Sequence, residues 1–194
     1  LIFDEIPTGL GKTGKMFACE HYETVPDLLV LGKALGGGIL PIAAVLARAE
    51  LDVAGNYALG HYTHEKNPVT AKAALTTIEI IEQQNLVENA AVLGKYMLDQ
   101  LNLLKDKHTS IGDVRGLGLL IGVELVLNRK QKNAADDLAE DVLYRCLGRG
   151  LSFKITMGNV LTLSPPLIIT RKQIDLSLQI IDECIAEAEK AAGL

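Results

Sequence analysis

Short continuous apolar runs open the chain, helical spacing fills its middle, and alternating stretches rich in glycine and β-branched residues follow. Leu1–Glu5 (LIFDE) is an apolar run closed by two carboxylates. Leu28–Leu31 is a second run, which stops at Gly32 and is followed by Lys33 and a glycine-rich turn. Such runs predict buried parallel strands, apolar on both faces. Between them, Pro7–Lys15 (PTGLGKTGK) predicts a loop, Phe17–Tyr22 a short helical turn, and Pro26-Asp27 a break. Leu40–Ala47 predicts a further strand beside Pro41, and Tyr57–Pro68 a polar loop with two of the four histidines.

The pattern then changes period. Val69–Gln83 and Leu86–Lys107 carry apolar residues three and four apart and predict helices, with Asn85 as the cap between them. Ile111–Leu127 alternates and predicts strands, and Asn128–Asn133 a polar turn. Ala134–Leu147 predicts a helix stopped by Gly148 and Gly150. Short strands are expected over Leu151–Ile155 and Val160–Leu163, then a rigid break at Pro165-Pro166. A final amphipathic helix spans Arg171–Ala192, with Thr170 as its N-cap. The chain therefore begins as α/β, passes through a long helix and ends as a smaller α+β unit. The expected division is residues 1–85, a linking helix over 86–107, and a small domain over 108–194.

Composition narrows the class. The chain has 194 residues, nearly half of them apolar, enough for a sizeable core. A formal charge of −5 without a basic block argues against a nucleic-acid surface. No apolar stretch approaches a membrane span. Cys19, Cys146 and Cys184 are scattered without CxxC spacing, which predicts reduced thiols that fill space in a cytoplasmic protein and no zinc site. The chain opens inside an apolar run with no initiator Met, and the expectation is a piece of a longer protein.

Chemistry concentrates where the first two strands end. In open α/β sheets the reacting groups sit at the carboxyl ends of strands. Asp4 ends the first strand, and a buried strand-end aspartate is costly unless it is paired. Glu5 must point to the opposite face, where a structural role is expected. Lys33 follows the second strand between Gly32 and Ala34, a setting that predicts a desolvated, nucleophilic amine. An acid and a lysine so delivered suit a pyridoxal phosphate site: the lysine as Schiff base, the aspartate holding the pyridine nitrogen protonated. GLGKTG has the GxGxxG spacing but no evident helix after it, and no GxxxxGK[ST] phosphate loop occurs.

The segment DEIPTGLGKTGKMFACEHYETVPDLLVLGKALGGG resembles the signature of the class III (ω-amino acid) pyridoxal-phosphate-dependent aminotransferases, with Asp4, Glu5, Gly9, Gly11, Thr13, Gly14, Pro26, Asp27 and Lys33 in register. HYTHEKNPVTAKAAL resembles the family loop whose threonine reaches the cofactor phosphate of the neighbouring subunit, and by that match Thr63 binds phosphate. GDVRGLGLLIGVEL and NVLTLSPPLIIT resemble the opening of the C-terminal domain and the segment bordering the substrate. The resemblance spans essentially the whole chain and implies the C-terminal half of a fold-type I PLP-transferase: part of the large parallel-sheet domain, then a small α+β domain. It implies catalytic Lys33 and Asp4, cofactor-binding Asp4, Lys33 and Thr63, pyridoxal 5'-phosphate, a homodimer with its site at the subunit interface, and a small-molecule amino donor and oxo-acid acceptor. It also implies that the phosphate-cradling loop and the ring-stacking aromatic lie outside these residues, so that residues 1–194 alone hold an incomplete site.

Two positions depart from the family pattern. Pro7 stands where the family has a Gln that bonds the phenolic oxygen of the cofactor, and Thr162 where it often has the Arg that grips the substrate carboxylate. These departures keep a racemase, epimerase or decarboxylating relative open beside transamination, and an inactive remnant of the fold as a further alternative. Arg115 is expected to order the small domain, His61 and His64 to have structural or solvated roles, and His21 and His108 to lie on the surface.

Overall fold

The protein is described here from a computed structural model, covering residues 1–57, 60 and 64–194. Its contacts divide into two compact units, Leu1–Glu88 and Asn89–Leu194.

In the first unit, strand β1 (Ile2–Asp4) runs parallel to β2 (Leu28–Leu31), with Asp4 beside Val30. Strand β3 (Ala44–Ala47) pairs antiparallel with β2, giving the order β1-β2-β3. The parallel pairing matches the expectation from the apolar runs. The predicted burial is met only in part, because β1 is an edge strand among the described residues: Leu29 and Leu31 are buried while Ile2 is exposed. Strand β3 is shorter than the expected Leu40–Ala47. The turn after β2 continues to Leu40, whose N–H bonds the Gly36 carbonyl at 3.1 Å, and Pro41 brings no N–H to a ladder. Helix α1 (Pro68–Gln83) starts at Asn67, whose side chain accepts from Val69 N at 2.9 Å, with Pro68 in the first turn.

The second unit is built on an antiparallel sheet. Strands β4 (Ile111–Leu117) and β5 (Leu120–Asn128) form a hairpin, with β6 (Asn133–Ala134) beside β5. Strands β7 (Lys154–Thr156) and β8 (Val160–Leu163) complete the order β4-β5-β8-β7. The strand expected over Leu151–Ile155 is displaced to Lys154–Thr156, because Leu151 is drawn back by its bond to the Cys146 carbonyl at 2.9 Å. Helices α2 (Leu86–Lys107, from Asn89 onward in this unit), α3 (Asp136–Gly148) and α4 (Arg171–Ala192) supply apolar stripes. Leu101, Val123, Leu161, Val142, Ile181 and Ile185 are fully buried in one cluster. Thr170 caps α4 through a reciprocal bond with Gln173. At Gly94 an added Cβ would lie 2.2 Å from the Gly118 carbonyl, so α2 touches the hairpin turn backbone to backbone.

The three cysteines are buried and free. Burial, and then the neighbouring Cys184 thiol, push the Cys146 thiol up to about 12, which makes it inert. His108 is not on the surface. It is 2% exposed, with Nδ1 2.8 Å from Glu189 and Nε2 2.6 Å from Asp182. Both ring nitrogens face carboxylate oxygens, an arrangement that an imidazolium with two N–H groups satisfies. Lys107 also bonds Asp182, and the Ser110 N–H bonds Glu189. Burial pushes both carboxyls up, but the bonds from Lys107 and His108 to Asp182, and from His108 and Ser110 to Glu189, outweigh it and hold both below the usual range.

Candidate active site

The carboxyl ends of β1 and β2 are adjacent, and the residues just beyond them touch. A Cβ built on Gly32 would lie 3.5 Å from the Ile6 side chain, and one on Gly9 would lie 3.3 Å from Leu31. Parallel neighbours about 4.8 Å apart thus deliver Asp4 and Lys33 to one edge of one sheet. Asp4 is exposed, and its Oδ1 accepts the Ile6 N–H at 3.1 Å. Among the described residues no cation pairs with it.

Lys33 opens a short 3₁₀ turn, Lys33–Gly36, with φ +46°, a left-handed conformation that a residue other than glycine rarely adopts. The turn lies against α1, since a Cβ on Gly37 would come within 3.0 Å of the Thr77 hydroxyl. The expected desolvation of Lys33 is absent within these residues: the side chain is exposed, because only its backbone follows the buried Leu31. With Pro41, Ile42 and Ala43 it borders an open depression of about 480 Å³. Thr63 and His61 lie outside the described residues.

Glu5 is the buried group at this edge, 3% exposed. Its Oε2 accepts from the Thr8 hydroxyl at 3.1 Å and from Ala18 N at 2.7 Å, and its Oε1 accepts from Cys19 N at 2.8 Å. Its own N–H bonds the Val30 carbonyl at 2.9 Å, and its carbonyl accepts from Gly9 N at 2.9 Å. The structural role expected for Glu5 is therefore found. Burial, and then Glu5, push the Cys19 thiol up. The loop between strand and turn is closed further by His21. It is half-buried rather than on the surface, and its Nε2 lies 3.1 Å from both the Thr13 hydroxyl and the Thr13 carbonyl. Burial pushes the Lys12 amine in the same loop down. Only the 3₁₀ turn Ala18–Tyr22 follows GLGKTG, so the glycines make turns rather than opening a long helix.

Asp27 bonds Arg48 at 2.9 Å, so it ties the start of β2 to the end of β3. Pro7 is exposed and offers no donor. In the second unit, Thr162 on β8 bonds the Thr156 hydroxyl on β7 at 2.7 Å, and both stand on the sheet as half-buried polar residues. Thr162, Leu163, Pro165 and Pro166 line part of a cavity of about 350 Å³. Arg115 bonds Asp113 at 3.0 Å and Glu124 at 2.5 Å, which ties β4 to β5. Among the described residues no cluster of three or more acidic, histidine or cysteine side chains is arranged to hold a metal, and no helix is long and apolar enough to cross a membrane.

The family profile described as Aminotransferase class-III matches residues 1–185. The chain belongs to the class III aminotransferase family, and its fold is that of the fold-type I transferases. It is 46% identical over 190 residues to an (R)-1-hydroxy-2-aminoethylphosphonate ammonia-lyase of Vibrio splendidus, covering 98% of this chain and 40% of the relative. It is 44% identical to a leucine/methionine racemase of Thermococcus litoralis, covering 98% and 43% respectively. The structure superposes on a Bacillus anthracis aminotransferase with TM-score 0.92 at 33% identity, covering 96% of this chain and 44% of that one. The chain thus spans less than half the length of the curated relatives it matches.

Proposed function

We propose that the protein acts, as part of a longer chain, as a pyridoxal-phosphate-dependent transaminase that moves an amino group from an amino acid or amine to a 2-oxo acid. The observation that carries this reading is the adjacency of two strand ends, one bearing Asp4 and the other Lys33, within the motif shared with the family. The residues present suit the cofactor. Asp4 is an exposed carboxylate without a cation among the described residues, and Lys33 is an exposed amine on the same edge. Bound pyridoxal phosphate supplies an electron sink, which makes a proton on the substrate α-carbon removable.

The chain's own groups do the rest. The Asp4 carboxylate holds a proton on the pyridine nitrogen. Lys33 Nζ would hold the cofactor and would serve as the general base that takes the proton from the substrate α-carbon. Lys33 opens a left-handed turn just past the end of β2, and its side chain is exposed there. Thr63 reaches the phosphate of a second subunit, which makes the working form a homodimer.

A second reading rests on Thr162. Its hydroxyl is bonded to Thr156, and it offers no guanidinium for a substrate carboxylate. Together with the likeness to a racemase and an ammonia-lyase, this favours racemisation, epimerisation or another carbanion outcome on the same Asp4 and Lys33. The test is the visible absorption of the full-length protein with added pyridoxal phosphate, followed by borohydride reduction and peptide mapping. A band trapped on Lys33 and bleached by amines, with oxo-acid acceptors restoring it, supports transamination. Loss of optical activity of one amino-acid enantiomer without an acceptor supports racemisation. No band in the full-length protein overturns both and leaves an inactive remnant of the fold.

A further inference from the structure

Glu5 is a buried carboxylate with no cation beside it among the described residues, yet it is fully engaged. It accepts three hydrogen bonds from Thr8, Ala18 and Cys19, while its main chain bonds Val30 on one side and Gly9 on the other. It thereby holds together the end of β1, the start of the glycine loop and the first amides of the 3₁₀ turn Ala18–Tyr22. Asp4 precedes it and, by the alternation of the strand, points the other way. Among the described residues, the one hydrogen bond of the Asp4 carboxylate comes from Ile6 N, the amide that directly follows Glu5. Displacement of the Glu5 backbone therefore displaces both the Asp4 Cα and the donor that orients its carboxylate.

We infer that Glu5 is a positioning residue for Asp4: by gathering Thr8, Ala18 and Cys19, its carboxylate fixes the end of β1 so that Asp4 meets the pyridine nitrogen of the cofactor. This rests on the assignment of Asp4 and Lys33 proposed above. Glu5→Gln is the informative change, because it keeps the volume but turns one acceptor into an NH₂ that faces an N–H donor. A buried donor left without an acceptor costs enough to weaken a coupled binding step by roughly tenfold.

The experiment uses the full-length holoenzyme and four variants: Glu5→Gln, the milder Thr8→Ala, Asp4→Asn, and Leu101→Ala as a control for loss of stability alone. For each, the pH titration of the visible cofactor band, the dissociation constant for pyridoxal phosphate and the melting temperature are recorded. Hydrogen exchange at the amides of Ala18 and Cys19 is followed in the apoprotein. The expected result is a titration midpoint that moves in Glu5→Gln in the direction seen for Asp4→Asn but less far, a roughly tenfold weaker cofactor, and faster exchange at both amides. Thr8→Ala gives a smaller shift of the same sign, and it remains readable if Glu5→Gln does not fold. Leu101→Ala lowers the melting temperature and leaves the titration unmoved. If Glu5→Gln, or Thr8→Ala in its place, also lowers only the melting temperature, the role of Glu5 ends with the loop it holds, Asp4 does not depend on it and the inference is overturned. If Asp4→Asn itself leaves the band unchanged, the assignment of Asp4 has failed and the inference falls with it.

Discussion

The two units solve the burial problem differently. In Asn89–Leu194, three helices and an antiparallel sheet enclose one continuous core, with Leu101, Val123, Leu161, Ile181 and Ile185 removed from water. In Leu1–Glu88, a three-stranded sheet and one helix bury Leu29, Leu31, Leu35 and Ile81, while Ile2, Val45, Val53 and Val69 stand mostly exposed. The unit with the closed core carries no predicted catalytic residue. The unit with the open one carries Asp4 and Lys33. The chain spans less than half the length of the relatives it matches, so the exposure in this unit is that of these residues alone.

That comparison can be broken most directly by truncation in each unit. Leu101→Ala should destabilise the second unit by about 4 kcal/mol in urea denaturation, since the side chain is fully buried and the space cannot collapse. A loss under about 1 kcal/mol would mean that the core is looser than the burial implies.

His108→Ala should cost about 3 kcal/mol by the same measurement, because it leaves Asp182 and Glu189 facing each other without the ring between them. Restoring half the loss with a second change, Asp182→Asn, would sharpen the assignment to charge rather than packing.

Acid should weaken the same cluster. Asp182 and Glu189 lie below their unfolded range, so their stabilisation is complete above that range and is lost as the pH falls through their folded values. The urea midpoint should therefore hold from neutral pH down to about 5 and fall below about 4. In His108→Ala the fall should be shallower. An identical fall in that variant would remove this cluster as its cause.

The smallest effect is expected in the first unit. Val45→Ala in the 194-residue chain should change stability by less than about 0.5 kcal/mol, because the side chain is 63% exposed. A cost several times larger in a longer chain would show that this face is covered there.

Much of the architecture was legible in the pattern. Helix α2 falls at Leu86–Lys107 and α4 at Arg171–Ala192 with Thr170 as cap, because period and capping are local signals. The parallel β1–β2 pair followed from two apolar runs joined by a long crossover. Strand β3 starts later than the pattern predicts, because the turn after β2 runs on to Leu40 and Pro41 brings no N–H to a ladder. His108 is buried rather than on the surface because the carboxylates that enclose it lie on α4, more than seventy residues away. No local pattern reports such a partner.

The sequence by itself determined the class of protein, the period of each long element and the delivery of Asp4 and Lys33 to one sheet edge. The period and the delivery depend on residue type, spacing and strand direction, and the class on the resemblance to a known family. Only the tertiary structure decided that Glu5 gathers three donors from the loop beyond it, that His108 lies between two acids, and that Lys33 takes a left-handed turn in the open. The physical reason is the same in all three: burial and hydrogen-bond partners belong to neighbours in space, which the chain specifies only once it has folded.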